Sequence, residues 1–154
     1  MMKLCSDIIE GLKGKTLVTA ESCTGGGIGA ALTAVSGASV VYKGGIISYT
    51  NEVKQNLLRV DPVILEREGA VSAPVAEAMA KGARNVLNAD IAISVTGLAG
   101  PGADDFGNPV GTVYVGYSDE KITSSTKFYF DGNREEIRKQ AIVESLKIVL
   151  QNNK

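Results

Sequence analysis

The sequence predicts an α/β protein, a three-layer α/β/α sandwich with a mixed, partly parallel sheet. Strand-like apolar runs alternate with helix-like periodic segments, which favours a sheet that is parallel in its first half. Two runs of β-forming residues then follow one another and predict a terminal hairpin. At 154 residues the chain fits a single domain, residues 1–154, with no need for disulfide bonds or a structural metal.

The first third of the chain supplies alternating helices and strands. Aliphatic residues at helical spacing in the segment 4–12 predict an opening amphipathic helix that ends at Gly14. An apolar run over residues 16–20 predicts the first strand, and a helix rich in small residues over 28–35 follows a glycine-rich turn. The segment 40–49 is rich in β-branched and aromatic residues and predicts one or two further strands.

Capping patterns predict three helices within about residues 51–88. Asn51 has the position of a cap residue, and Asp61 and Ser72 combine a cap residue with an early proline. The nearly continuous apolar run over residues 90–95 is typical of a strand that is buried on both faces.

The last third begins with a loop over residues 98–110, which is rich in glycine and proline. A loop of this length in a compact domain is often functional. β-Forming runs over residues 112–117 and 122–130 predict the hairpin. A last helix, capped by Asn133, is predicted from Arg134 to about Leu150.

The composition excludes several classes of function. The chain has no histidine, so Ser-His-Asp and Cys-His catalysis are excluded. Its 16 basic and 17 acidic residues are mixed along the sequence, so we expect neither nucleic acid nor a membrane as a partner. Cys5 and Cys23 lack metal-ligand spacing, and no zinc site is expected. No signal core or membrane span is visible, so we expect a cytoplasmic protein in a reduced compartment.

Three predicted strands end in segments that carry chemically useful side chains. These segments are residues 20–24, 48–54 and 94–97. Right-handed crossovers bring the carboxyl ends of parallel strands to one edge of a sheet. The topology therefore predicts that the three segments converge.

Ser22 is a candidate nucleophile, because it lies between a strand end and a helix N-terminus, where the helix dipole would stabilise an alkoxide. The alternative is that Ser22 only caps the helix. Cys23 is a second candidate, as a thiolate at the same helix N-terminus, or it packs beneath the loop. Glu21 either orients a lysine or caps the helix. Free N–H groups in the turn through Gly25 and Gly26 would suit an anion or an oxyanion.

Without histidine, a lysine is the leading candidate for the base that activates such a nucleophile. Lys54 lies in the first turn of a predicted helix, where the dipole and partial burial would lower its pKa towards neutrality. The alternative is a solvated surface lysine. Tyr49 precedes it at a strand end, where its hydroxyl would reach both Lys54 and Ser22, unless its ring closes the core.

Two further segments are candidates for binding a substrate. Thr96 and the N–H groups of Gly97 and Leu98 would form an oxyanion hole or hold a polar group, which is compatible with a turn that requires glycine. Arg134 begins the last helix, so its guanidinium and neighbouring N–H groups would bind phosphate, unless it pairs with an acidic neighbour. The glycines match neither a dinucleotide-binding fingerprint nor a P-loop, which disfavours ATP hydrolysis.

Five motifs are spread in order over nearly the whole chain, from about residue 4 to residue 150. They are Ala20-Glu-Ser-Cys-Thr-Gly-Gly26, Tyr49-Thr-Asn-Glu-Val-Lys54, Gly69-Ala-Val-Ser72, Thr96-Gly-Leu-Ala-Gly-Pro101 and Pro109-Val-Gly-Thr112. Together they resemble the CinA C-terminal-domain family, the nicotinamide-nucleotide amidohydrolases. The resemblance implies hydrolysis of nicotinamide mononucleotide to nicotinate mononucleotide and ammonia.

The resemblance also implies roles for particular residues. Ser22 is expected to be the nucleophile, Lys54 its base and Tyr49 their partner. The expected substrate-binding residues are Thr96, Gly97, Arg134, Gly25 and Gly26. Amide hydrolysis through an acyl-enzyme needs no metal, so no cofactor is expected. A homo-oligomer, a dimer or a trimer, is expected, and the hairpin would supply part of its contact surface.

Two alternatives to this enzyme belong to other classes of protein. One is a non-catalytic nucleotide-binding module, and the other is an oligomeric adaptor domain of the same fold. The chain also departs from the family pattern, because Ala103-Asp104-Asp105 and Asn108 stand where relatives often have glycine and lysine. The added negative charge would weaken the binding of an anionic substrate.

Overall fold

A computed structural model describes residues 1–154 and contains one five-stranded sheet with helices on both faces. This architecture confirms the predicted α/β/α fold class. A short 3₁₀ turn at Ala38–Val40 precedes the second strand. The helices are α1 (Met2–Gly11), α2 (Gly27–Thr33), α3 (Asn51–Asn56), α4 (Pro62–Glu68), α5 (Ala73–Val86) and α6 (Arg134–Asn152), and the strands are β1 (Leu17–Glu21), β2 (Tyr42–Ile47), β3 (Ile91–Gly97), β4 (Thr112–Ser118) and β5 (Thr123–Tyr129).

The sheet is mixed, with the strand order β2-β1-β3-β4-β5. Strands β2, β1 and β3 are parallel, whereas β4 and β5 pair antiparallel with their neighbours. Glu21, the last residue of β1, pairs with Ile47 on one side and with Val95 on the other. The three parallel strands therefore end at the same edge, and the predicted convergence of their following loops is confirmed.

The two faces of the sheet carry different side chains, because successive residues of a strand point to opposite sides. On β3, Ile93 and Val95 join a core formed with α1, α2 and α6. The opposite face has small residues, including Ala92, and Ser94 donates a hydrogen bond to the Ala76 carbonyl of α5 (2.6 Å). These small side chains let α5 pack close to the sheet.

Helix α6 is the longest, with 19 residues, and the predicted cap at Asn133 forms a complete capping box. The Asn133 side chain accepts from the Glu136 N–H (2.9 Å), and the Glu136 carboxylate accepts from the Asn133 N–H (3.0 Å). This cap fixes where α6 begins. Neither α6 nor any other helix is both long and apolar enough to cross a lipid bilayer.

Two predicted caps differ from the structure. Thr50, not Asn51, caps α3, because the Thr50 hydroxyl accepts from the Val53 N–H (3.3 Å). Ser72 precedes α5 as predicted, but its hydroxyl donates to the Gly69 carbonyl (2.8 Å) and caps no N–H group. The segment predicted to hold one or two strands holds one, β2.

The hairpin predicted at the end of the sheet is formed by β4 and β5. Most side chains of β4 are buried, because this strand lies between β3 and β5. Of the two hairpin strands, only β5 has a mostly exposed pattern and lies at an edge of the sheet. Of the hairpin, β5 is the strand available for the predicted contact between subunits, and the oligomeric state stays a prediction.

Close packing around α5 gives a test of the fold. A Cβ at Gly82 would overlap the carbonyl oxygen of Leu58, whereas a Cβ at Gly11 on α1 would meet open space. Alanine exceeds glycine in helix propensity by about 1 kcal/mol, so propensity alone favours both Gly→Ala changes. We expect Gly82→Ala to lower the free energy of unfolding by about 1–3 kcal/mol. Gly11→Ala is the control and should leave it unchanged or raise it, as measured by urea unfolding.

Candidate active site

A cavity of about 640 Å³ lies at the edge where the parallel strands end. Segments that follow β1, β2 and β3 all contribute to it, together with the start of α6. The lining consists of Ser22, Cys23, Tyr49, Asn51, Lys54, Ala70, Val71, residues 96–106 and Arg134.

Ser22 and Lys54 are in direct contact in this cavity. The Lys54 Nζ lies 2.9 Å from the Ser22 Oγ and is hydrogen-bonded to it. Ser22 directly follows β1, and its N–H donates to the Val95 carbonyl of β3 (3.0 Å). A strand end and a neighbouring helix thus place a hydroxyl and an amine at hydrogen-bond distance, as a nucleophile and its base require.

The Lys54 amine is almost completely buried, with 1% of the residue exposed. Its Nζ also donates to the carbonyl oxygens of Ser48 (2.6 Å) and Tyr49 (3.4 Å). A carbonyl can only accept, so in the neutral amine the two N–H bonds point to these oxygens and the lone pair faces Ser22. The backbone before α3 therefore orients the amine as an acceptor for the Ser22 proton.

Burial lowers the pKa of Lys54 to about 8, because the charged ammonium loses its hydration, and the nearby Cys23 opposes this shift. The sequence predicts a lowered pKa from the helix dipole together with burial. In the structure burial is the cause, and Lys54 is the fourth residue of a six-residue helix. A substantial fraction of the amine is thus neutral near pH 8.

Cys23 also lines the cavity, but its thiol is not activated. Burial raises its pKa to about 11, and the positive charges of Lys54 and Arg138 offset this only in part. At neutral pH the sulfur is protonated and a poor nucleophile. The raised pKa of the thiol thus favours the Ser22 hydroxyl as the nucleophile.

The buried carboxylate of Glu21 caps α2. Its Oε1 accepts from the Thr24 hydroxyl (2.7 Å) and from the Ile28 N–H (2.8 Å), and its Oε2 accepts from the Gly29 N–H (3.0 Å). Of the two roles that the sequence allows for Glu21, the structure supports capping. An anion of the protein itself therefore occupies the N-terminus of α2.

The structure does not bring Gly25 and Gly26 to the cavity, although the sequence predicts them as substrate-binding residues. Both have left-handed φ angles, +59° and +99°, which glycine adopts without strain. The Gly25 N–H closes a turn on the Ser22 carbonyl (3.1 Å). Because Glu21 fills the helix N-terminus behind them, these glycines shape the turn and do not form an anion site.

Tyr49 contacts the candidate base through its carbonyl and not through its hydroxyl. The side chain is 60% exposed, so its ring does not close the core. Its hydroxyl accepts from Arg134 Nη2 (3.2 Å), and no hydrogen bond joins it to Lys54 or Ser22. The predicted proton relay through the Tyr49 hydroxyl is therefore absent from this geometry.

Arg134 lies at the cavity, as the sequence predicts for a substrate contact. Its Nη1 donates to the Gly100 carbonyl (2.8 Å), and its Nη2 holds the Tyr49 hydroxyl. The predicted alternative, an ion pair with an acidic neighbour on α6, is not formed, since those carboxylates have other partners. The cavity thus has an exposed guanidinium charge with no carboxylate paired to it.

Thr96 and its neighbours form the β3 side of the cavity. The Thr96 hydroxyl donates to the Ala70 carbonyl (2.9 Å), and the Leu98 N–H donates to the Thr112 carbonyl (2.9 Å), so this N–H is not free. Successive N–H groups of a strand point to opposite sides, so the Gly97 N–H points towards β1 and Ser22. Of the predicted oxyanion donors here, only Gly97 remains a candidate.

Arg138 contributes to the site but is not among the predicted residues. Its guanidinium donates to the carbonyls of Cys23 (3.0 Å) and Thr24 (3.2 Å). The available signal was its spacing, because Arg138 follows Arg134 by four residues and so lies on the same face of the helix.

Asp104 and Asp105, the two acidic residues that depart from the family pattern, have different environments. Asp104 braces the loop, since its carboxylate accepts from the backbone N–H groups of Phe106 and Asn108 and from the Asn108 side chain. Burial raises its pKa, but these hydrogen bonds together lower it more. Asp105 is exposed in the cavity lining. No group of three or more Cys, Asp or Glu side chains is placed to hold a metal ion.

The cap on α2 gives a test that does not depend on activity. In Glu21→Gln the amide oxygen can replace Oε1, but the NH₂ group would then face the Gly29 N–H. We expect this to lower the free energy of unfolding by about 1–3 kcal/mol, since a buried donor is left unpaired. Chemical denaturation would measure it. Glu10→Gln, at an exposed ion pair, is the control and should change stability by less than about 1 kcal/mol. Equal stability of both variants would contradict the capping role.

Comparisons with known proteins agree with this fold. The family model for the CinA C-terminal domain matches residues 2–152. A CinA-like protein of Synechococcus sp. is 55% identical over 113 residues, which cover 72% of this chain and 27% of that protein. A CinA-like protein of Geobacter sulfurreducens is 48% identical over 136 residues, which cover 87% of this chain and 32% of that protein. The chain thus spans about a third or less of the length of these relatives.

A solved structure shows that the same relationship extends to the fold. The competence damage-inducible protein A of Klebsiella pneumoniae superposes with a TM-score of 0.95 at 33% sequence identity. The match covers 97% of this chain and 94% of the Klebsiella chain. On the family model, the identities and the shared fold, this chain belongs to the CinA C-terminal domain family.

Proposed function

We propose that the protein is an amidohydrolase that converts nicotinamide mononucleotide to nicotinate mononucleotide and ammonia, with Ser22 as the nucleophile and Lys54 as its base. The observation that carries the proposal is the 2.9 Å hydrogen bond between the Lys54 Nζ and the Ser22 Oγ in the cavity. The motif resemblance described above supplies the substrate and the reaction.

In the first step the neutral Lys54 amine accepts the Ser22 proton, and Oγ forms a bond to the carboxamide carbon. The carbonyl electron pair moves to oxygen and gives a tetrahedral oxyanion. When the C–N bond breaks, the Lys54 ammonium returns its proton to the leaving nitrogen and ammonia departs. The nicotinoyl group then remains as an ester on Ser22.

In the second step water hydrolyses this ester. Lys54 accepts a proton from water as the hydroxide oxygen attacks the acyl carbon, and it returns the proton to the Ser22 Oγ as the ester bond breaks. Ser22 and the neutral Lys54 amine are restored, and nicotinate mononucleotide is released. Every proton transfer in the two steps runs between the nucleophile, the base, water and the leaving nitrogen.

Two backbone donors near Ser22 are suited to hold the oxyanion. The N–H of Cys23, the residue after the nucleophile, donates to no other residue. The Gly97 N–H points towards Ser22 from the β3 side, as argued above from the strand register. Donors that are fixed before the reaction stabilise the developing charge without reorganisation.

The anionic end of the substrate would bind at Arg134. Two of its N–H groups hold Gly100 and Tyr49, which leaves others free for phosphate oxygens. Asp105 lines the same cavity and would oppose an anion there. We therefore propose that the nucleotide phosphate lies at the Arg134 wall and the carboxamide at Ser22.

Ammonia release from nicotinamide mononucleotide tests the reaction. We expect Ser22→Ala and Lys54→Met each to lower kcat by at least about 10²-fold, since each removes a group that takes part in bond making or proton transfer. Cys23→Ala is the matched control, because it changes the adjacent residue of the same turn, and it should keep most of the activity. Full activity in Ser22→Ala together with loss in Cys23→Ala would overturn the serine mechanism in favour of a thiol.

The same measurements distinguish the two alternatives. A nucleotide-binding module would bind nicotinamide mononucleotide in a calorimetric titration, with Arg134→Gln weakening the binding, and would release no ammonia. An adaptor domain would show neither binding nor turnover. Either result would contradict the proposed reaction.

The pH dependence follows from the lowered pKa of Lys54, about 8. Lys54 must be neutral to accept the Ser22 proton, so kcat/KM should rise as pH rises through this value and then level off. The expected half-maximal rate lies near pH 8, within about one unit. Initial rates between pH 6 and pH 9.5 would measure it. A rate that falls between pH 6 and pH 8 would contradict a neutral lysine base.

A further inference from the structure

The turn that carries Ser22 is held by a guanidinium from a distant part of the chain. Arg138 lies in the second turn of α6, more than 100 residues after Ser22 in sequence. Its Nε donates to the Cys23 carbonyl (3.0 Å) and its Nη2 donates to the Thr24 carbonyl (3.2 Å). None of the ion pairs of the protein includes Arg138. Its partners are therefore backbone oxygens of the turn.

These contacts set the direction of N–H groups as well as carbonyls. In a planar trans peptide the C=O and the next N–H point in opposite directions. The bond from Arg138 to the Thr24 carbonyl thus fixes where the Gly25 N–H points, and that N–H donates to the Ser22 carbonyl (3.1 Å). The Ser22 carbonyl shares a peptide with the Cys23 N–H and so fixes the direction of that N–H. The Cys23 N–H is the donor directly after Ser22, and it donates to no other residue.

The turn is also held from its other side. The Glu21 carboxylate accepts from the Thr24 hydroxyl (2.7 Å), so Thr24 is fixed through its side chain by Glu21 and through its carbonyl by Arg138. Gly25 lies against the guanidinium, since a Cβ built there would be 3.6 Å from Arg138 Nη2. The turn that sets the direction of the Cys23 N–H is therefore held by both contacts.

We propose that Arg138 is a positioning residue, which holds this turn so that the Cys23 N–H faces the oxyanion formed when Ser22 attacks. The inference rests on the proposed function. Arg138 contacts neither Ser22 nor Lys54 side chains and does not line the cavity, so it acts on the reaction through the backbone. Loss of Arg138 should therefore lower the stabilisation of the transition state more than it weakens the binding of substrate.

The test is a comparison of kcat and KM for Arg138→Lys and Arg138→Ala with nicotinamide mononucleotide. We expect Arg138→Ala to lower kcat by about 10- to 100-fold, since small displacements of catalytic donors have effects of this size. KM should change by less than about 3-fold, because differential binding of the transition state appears in kcat. Arg138→Lys should recover part of kcat, since an ammonium can donate to one carbonyl but lacks the planar fork.

Three controls separate positioning from loss of structure. Lys139→Ala removes the neighbouring cation, which is exposed and paired only with Glu135, and should leave kcat unchanged. The half-maximal rate near pH 8 should persist in Arg138→Ala, because Arg138 makes no contact with Lys54. Circular dichroism at the assay temperature should show that each variant is folded.

The outcomes distinguish this inference from the proposed function. Absence of turnover in the unsubstituted protein would overturn both. Turnover that Arg138→Ala leaves undiminished, or a loss confined to KM, would overturn the positioning role alone. A shift of the pH midpoint together with kcat would also overturn it, because Arg138 would then act on the base. If Arg138→Ala is unfolded, the folded Arg138→Lys protein decides the question through the same kcat and KM comparison.

Discussion

The candidate site depends on the burial of one amine, that of Lys54. Moving an ammonium out of water costs several kcal/mol, so a buried lysine is stable only if it is paired with polar groups or loses its proton. Both occur here, because two carbonyl oxygens accept its N–H bonds and the pKa falls to about 8. The same burial that destabilises the ammonium provides a base that is usable near neutral pH. A solvated lysine would stay protonated beside Ser22.

The position of β1 inside the parallel half of the sheet makes this pairing possible. β1 has β2 on one side and β3 on the other, so Ser22, at its end, has a neighbour from each. The β2 side supplies Lys54, and the β3 side supplies the Val95 carbonyl that anchors the Ser22 backbone. Helix α6 then closes the arrangement from outside the sheet, with Arg134 on the cavity wall and Arg138 on the turn. The site thus combines segments that are far apart in sequence.

Much of this could be predicted from the sequence, because it follows from topology. Alternating strands and helices predict the parallel strands, and these predict the meeting of Ser22 and Lys54. Side-chain directions in the loops could not be predicted in this way. Gly25 and Gly26 resemble an anion site until the Glu21 carboxylate is seen to fill the helix N-terminus. The direction of the Tyr49 hydroxyl likewise depends on α6, which approaches from the far end of the chain and which no local pattern places.

The anchors of the Lys54 amine have a consequence for how this site tolerates sequence divergence. Both carbonyl oxygens belong to the main chain, at Ser48 and Tyr49, and every residue type carries the same group there. Substitution at these two positions can alter the surroundings of the amine without removing its acceptors, provided that the backbone keeps its path. A search for this nucleophile and its base in distant relatives then needs to require only the serine and lysine side chains.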